Sequence, residues 1–212
     1  MALRQMDDLN AMHMDVLREI GNIGQGNAAS ALSQMLSTEI DISVPTVKLL
    51  DIDETVEYMG GPENIVLGML VGLKGDIQGM MLYILQKGFA SSMLQAVFGK
   101  GIEDFSELGE MEMSFIHEIG NILSGSYVNA ISSLTGLMID ISVPTISVDM
   151  AGAILSVPAV EFAQIGSKVL FIDDNFIFGG EAGSASKVKS NMILVPELSS
   201  LETLFTRLGV EI

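Results

Sequence analysis

The sequence predicts an α+β fold built from two copies of one unit, and three observations carry that prediction. Two strings recur at a single spacing. Long segments rich in Ala, Met, Leu and Glu carry apolar residues three and four apart, and the stretches between them read as short strands broken by Gly and Pro. Glu19-Ile20-Gly21-Asn22-Ile23 returns as Glu118-Ile119-Gly120-Asn121-Ile122, and Ile40-Asp41-Ile42-Ser43-Val44-Pro45-Thr46 returns as Ile139-Asp140-Ile141-Ser142-Val143-Pro144-Thr145. Both pairs share one offset of 99 residues (118 − 19 and 139 − 40), and between them Gly26, Ala31 and Ser33 recur as Gly125, Ala130 and Ser132. Only two copies exist, so the chain is a duplication and not a solenoid.

Each copy carries the same elements in the same order. A long helix comes first, over about 9–37 and again about 107–136, with apolar residues at helical spacing. A strand follows Pro45, and its counterpart follows Pro144. Next comes a hairpin: 65–73 and 77–85 turn at Lys74-Gly75-Asp76, and in the second copy 168–178 and 188–195 enclose a Gly/Ser-rich stretch. A short helix closes each copy, about 88–98 and 197–208. Helices segregated from mainly antiparallel strands give the α+β class. The ends of the copies, Gly99 and Gly209, align at an offset of 110, so the second copy has gained 11 residues; 149–153 and 179–186 are two segments with room for them. Only Gly99-Lys100-Gly101 separates the copies. Residues 1–212 are therefore expected to form a single domain of two fused, pseudo-twofold-related repeats, about 9–99 and 107–209.

Composition narrows the function. The 212 residues hold 10 Lys and Arg against 27 Asp and Glu, a net charge of −17, and 49% are hydrophobic, enough for a real core. An acidic surface argues against nucleic acid, whose phosphates are bound by Lys and Arg. The absence of Cys excludes a disulfide scaffold, a thiol nucleophile and thiolate metal sites. The longest apolar run, Ile65–Leu73, has strand length, well short of the 18 or so residues a membrane span needs. The N-terminus shows no apolar signal-peptide core, so the expectation is a cytoplasmic protein with no membrane insertion.

The repeated helix carries the candidate chemistry. Asp15, Glu19 and Asn22 stand four and three residues apart and share one helix face; Ser114, Glu118 and Asn121 repeat the spacing. A solvated face would account for one copy, but such a face tolerates exchange, and both Glu and Asn are kept in two diverged copies. Helix-interior glycine is unfavourable by about 1 kcal/mol relative to Ala. Gly21, Gly24, Gly26, Gly120 and Gly125 therefore suggest a surface that something approaches closely. The first position differs, Asp15 against Ser114, which fits a supporting role.

Familiar alternatives fall away. His117-Glu118 lacks the second histidine of the H-E-x-x-H zinc pattern, and neither His13 nor His117 recurs in the other copy. No Gly-x-Ser-x-Gly elbow presents a nucleophile, and the glycines after Asn22 do not form G-x-G-x-x-G. The 15 Met read as core filler or adaptable contact surface. An exposed Asn can orient a water when a partner supplies electrophile and metal, and Glu can pair with a cation on that partner.

The doubled pattern [D/S]-x-x-x-E-x-x-N, with its flanking Glu-Ile-Gly-Asn-Ile and Val-Pro-Thr strings, resembles the CheC-type phosphatases of chemotaxis (the CheC, CheX and FliY relatives) over almost the whole chain. The two-copy length is most similar to the CheC branch: CheX relatives carry a single such site, and FliY relatives add a flagellar-switch domain. The resemblance implies hydrolysis of the aspartyl-phosphate of the response regulator CheY. Asn22 and Asn121 would align the attacking water, and Glu19 and Glu118 would pair with the regulator's active-site lysine. Asp15 and Ser114 would support the geometry. Mg²⁺ would come with the regulator, so the chain is expected to hold no metal or cofactor of its own. The resemblance also implies binding of CheD, the chemoreceptor glutamine deamidase. Asp149, Met150, Ala151, Gly152 and Ala153, where the second copy departs from the first, are the surface suggested for it. Two non-enzymatic readings compete: an adaptor that sequesters phosphorylated CheY or CheD, and a structural protein of the flagellar switch.

Overall fold

A computed structural model of the chain describes residues 3–162, 168–178 and 186–211. Its elements run α1 (Ala11–Leu36), β1 (Ile40–Ile42), β2 (Thr46–Asp51), α2 (Ile52–Tyr58), β3 (Ile65–Gly75), β4 (Gly79–Leu85) and α3 (Lys87–Phe98). The series then repeats as α4 (Glu110–Thr135), β5 (Ile139–Ile141), β6 (Thr145–Met150), α5 (Ala151–Phe162), β7 (Lys168–Phe178), β8 (Ser186–Pro196) and α6 (Leu198–Arg207). The long helices thus keep the 99-residue offset at both ends. Asn10 sets the start of α1, its side-chain oxygen accepting from the Met12 and His13 N–H groups at 2.9 and 3.1 Å. Gly136 ends α4 in a left-handed conformation (φ 70°) with its N–H on the Ser132 carbonyl.

Four elements go beyond the periodicity reading: the three-residue strands β1 and β5, and the helices α2 and α5 after the edge strands. The first hairpin also turns later than Lys74-Gly75-Asp76. Lys74 and Gly75 remain in β3, paired with Asp140 and Ile139, so the turn falls at 76–78.

The eight strands among the described residues form one sheet in the order β1-β7-β8-β4-β3-β5, with β2 also on β7 and β6 also on β3. The copies exchange strands. The first copy's β1 and β2 pair with the second copy's β7, and the second copy's β5 and β6 pair with the first copy's β3. The β4–β8 pair joins the two hairpins at the centre.

Both exchanged edges are kinked at the same place. From Ile42 to Thr46 the edge advances four residues while its partner advances three, from Phe176 to Asp173. From Ile141 to Thr145 the same happens against Leu73 to Leu70. One extra residue within Ser-Val-Pro is a β-bulge, the kind of position that a proline, with no N–H to give the ladder, can occupy.

Helices cover both faces of the sheet. Central strand β4 alternates Met81, Tyr83 and Leu85 toward the core beneath α1, α3, α4 and α6, and Leu82 and Ile84 toward a second core beneath α2 and α5. Burial on two faces explains why β4 is apolar almost without a break. Glycine is required at Gly79 (φ 143°), where a Cβ would lie 2.2 Å from the Val195 carbonyl oxygen.

The extra residues of the second copy are partly placed. β2 and β6 end at Asp51 and Met150, still 99 apart, whereas β3 and β7 begin at Ile65 and Lys168, 103 apart. Four residues therefore enter after Met150, where α5 has 12 residues against 7 in α2. The added residues fall between Met150 and Lys168, a span that takes in the last part of 149–153, one of the two segments expected to have room for them. Residues 149–153 are the end of β6 and the start of α5, fastened by the Ala151 N–H on the Asn64 carbonyl (2.8 Å) and the Gly152 N–H on that of Pro62 (3.1 Å). Most of the other candidate stretch, 179–185, lies outside the described residues.

Candidate functional site

Asp15, Glu19 and Asn22 are all exposed on α1, and Ser114, Glu118 and Asn121 are all exposed on α4. Asp15 forms an ion pair with Arg18 at 2.5 Å; surface pairs of this kind add little to stability. Among the described residues no hydrogen bond or ion pair engages the side chains of Glu19, Asn22, Ser114, Glu118 or Asn121. Each Glu–Asn pair is free to meet an incoming molecule.

The glycines divide into two kinds, which corrects the reading of all of them as an approach surface. A Cβ on Gly21 would lie 3.7 Å from Pro45 Cγ, and one on Gly120 would lie 3.2 Å from Pro144 Cγ and 3.1 Å from Met69 Sδ. The two repeated strings are thus recurrent partners: the glycine beside each Asn receives the proline of each bulge. Gly24 receives Tyr127, with its would-be Cβ 3.0 Å from the Tyr127 Cα where α1 meets α4. Gly26 and Gly125 differ from these, because a Cβ at either meets nothing within 4 Å. Gly120→Ala and Gly24→Ala are therefore expected to lower stability by about 1–3 kcal/mol through overpacking. Gly26→Ala should raise it by about 0.5–1 kcal/mol through helix propensity. Urea unfolding midpoints will check the opposite signs.

The copies are unequal at Gly24 against Leu123 and at Ala28 against Tyr127, but all four residues are buried. They line a cavity of about 20 Å³ at the helix junction. Small residues on α1 accommodate large ones on α4, so this asymmetry is packing. Outside the core the sites differ in Asp15 against Ser114, both exposed, and in an exposed Arg18 against a half-buried His117.

Asn22 opens onto a groove of about 540 Å³ between α1 and the kinked edge, shared with Gly26, Ser30, Ser43 and Val44. Sequence reasoning missed Val44 and Val143. Their signal was present as identical residues in the repeated string, but an apolar residue in a strand reads as core. Among the described residues no group of three or more His, Asp or Glu is placed to hold a metal ion. No helix among them is long and apolar enough to cross a membrane.

The model of the CheC-like family matches this chain twice, at 12–49 and 111–148, each match running from the start of a site helix past its Val-Pro-Thr bulge. A Bacillus subtilis (strain 168) protein named CheY-P phosphatase CheC is 38% identical over 201 residues, covering 94% of this chain and 95% of that one. The chain belongs to the CheC-like family. The flagellar motor switch phosphatase FliY of the same organism is 30% identical over 145 residues, 67% of this chain and 37% of that protein. The crystal structure of Thermotoga maritima FliY shares the fold, with a TM-score of 0.74 at 22% identity over 95% of this chain and 98% of that one. In this CheC-like chain the twofold match falls on the two copies related by the 99-residue offset. Asp149 and Met150, by contrast, lie exposed at the far end of β6; Ala151 is buried, and Gly152 and Ala153 are half-buried at the start of α5.

Proposed function

We propose that this protein is a CheY-P phosphatase with two sites, which hydrolyses the aspartyl-phosphate of a chemotaxis response regulator. The observation that carries the reading is the pair of exposed, unengaged Glu–Asn sets at one helical register in both copies, in a chain 38% identical to a protein named for that activity. Asn22 or Asn121 enters the regulator's phosphorylated pocket, and its carboxamide holds a water in line with the phosphorus. Glu19 or Glu118 pairs with the regulator's lysine and fixes the pose. The carboxamide both accepts and donates, which suits it to orienting a water without taking its proton. Mg²⁺ belongs to the regulator's pocket and offsets the charge of the phosphoryl group there. The test is the decay of purified phosphorylated regulator with catalytic amounts of this protein. Many regulators dephosphorylated per chain support the reading, whereas slowed decay at stoichiometric protein supports a sequestering adaptor.

The same reading includes a cytoplasmic location and a second partner, the CheD deamidase. The surface offered to it begins at Asp149 and Met150 and continues along α5, the element that is longer in the second copy. Val157 and Val160 are exposed there, beside a groove of about 630 Å³ lined by Ile52, Val56, Pro62 and Leu155. Val157→Ser with Val160→Ser is expected to abolish co-purification of CheD and leave regulator dephosphorylation within about twofold. Retained CheD binding would remove α5 from the assignment.

A further inference from the structure

Single exposed apolar side chains are ordinary on a protein surface. Recurrence is not. Among the described residues two positions carry the same exposed apolar residue in both copies: Met12 (61% exposed) with Met111 (67%), and Val44 (72%) with Val143 (79%). Each pair is 99 residues apart, the offset of the Glu–Asn sets.

Their placement is specific. Met12, Asp15, Glu19, Asn22 and Gly26 follow one another at spacings of three and four, so they form one stripe along α1; Met111, Ser114, Glu118, Asn121 and Gly125 form the same stripe along α4. At 1.5 Å per residue each methionine stands roughly 15 Å from its Asn, beyond Asp15 in one copy and Ser114 in the other. Each valine flanks the opposite end. The bulge turns Pro45 inward onto Gly21 and leaves Val44 outside in the groove that Asn22 opens onto; Pro144 on Gly120 sets Val143 out in the same way. Nothing within the fold requires an apolar side chain at these four places.

We infer that Met12 with Val44, and Met111 with Val143, are the apolar contacts on which the phosphorylated regulator seats, one pair to each site. The inference rests on the phosphatase reading and adds the source of affinity. A chain of net charge −17 meets a pocket bearing an acyl phosphate, so long-range electrostatics does not draw the two together. Tight seating then needs desolvated apolar contact around the polar centre, and methionine adapts to such surfaces.

The test is the variant Met12→Gln, Met111→Gln, Val44→Thr and Val143→Thr, assayed beside Asn22→Ala with Asn121→Ala. The four-residue variant should raise the KM for phosphorylated regulator at least tenfold and leave kcat within twofold. Its affinity for regulator loaded with beryllofluoride, a phosphoryl mimic that is not hydrolysed, should weaken by the same factor. Its thermal midpoint should stay that of the wild type, because all four side chains are exposed. KM and beryllofluoride-regulator affinity within twofold of wild type, with the Asn variant inactive, would overturn the inference and leave the phosphatase reading standing. An Asn variant of full activity would instead remove Asn22 and Asn121 from the catalytic assignment, and a wild type without turnover would overturn the phosphatase reading. A wild-type dimer in sedimentation that the four-residue variant loses would assign the surface to a second copy of this chain and overturn the inference as well.

Discussion

Asn22→Ala combined with Asn121→Ala is expected to lower kcat for regulator dephosphorylation by about 10²–10³-fold, the usual effect of removing one aligned polar group from a transition state. Each single variant should keep the turnover of its remaining site, so the two singles divide the activity between the copies. The fold should survive, because both residues are exposed within long helices where Ala is the better helix former. KM should change little, since Met12, Val44, Glu19 and their counterparts remain. The measurement is phosphate release from purified phosphorylated regulator under saturating conditions. Undiminished kcat in the double variant would end the catalytic role of asparagine and leave the hydrolysis to other residues of the chain.

Gly79→Ala should have the largest effect on stability. Its backbone sits at φ 143°, and a Cβ there would lie 2.2 Å from the Val195 carbonyl oxygen and 2.7 Å from the Pro196 Cα. Backbone strain of about 1–3 kcal/mol adds to overpacking of similar size. The neighbour is backbone, so it cannot swing away as a side chain would. Gly79 pairs with Pro196 at the end of the β4–β8 ladder, the seam that holds the two hairpins together. A loss of about 3–5 kcal/mol corresponds to a thermal midpoint lower by roughly 10–15 °C, read by circular dichroism. A midpoint within about 3 °C of wild type would show that the seam can shift to admit a methyl group.

Much of the fold was legible because duplication acts as an internal comparison. The strings around Asn22 and Asn121 placed both site helices, and apolar spacing gave their length to within a few residues. Strand exchange was not legible. Periodicity reports which residues face a core, but it is local and carries no information on which hairpin an edge strand joins; Val47 reads as a core residue whichever partner β2 takes. The helices α2 and α5 were missed for a similar reason. Ile52–Tyr58 is two turns long, too short for a helical period to stand out, and α5 is apolar on nearly every side with Pro158 inside it. At the site, Glu19, Asn22, Glu118 and Asn121 stood out by chemistry and recurrence together. Met12 and Val44 recurred too, but nothing local distinguishes an apolar residue aimed at solvent from one aimed at a core.

The exchanged strands also set the order in which the molecule can be assembled. A ribosome makes the chain from its N-terminus, and Thr46 finds its ladder partner only at Asp173, 127 residues on (173 − 46). The first repeat therefore emerges with β2 unpaired and its own hairpin edge at β3 bare until β6 arrives. Contacts this distant in sequence slow folding and leave strand edges open in the interval. Refolding from urea should be slow for a protein of this size, and a chain severed at 99–101 should yield halves that fold only when mixed.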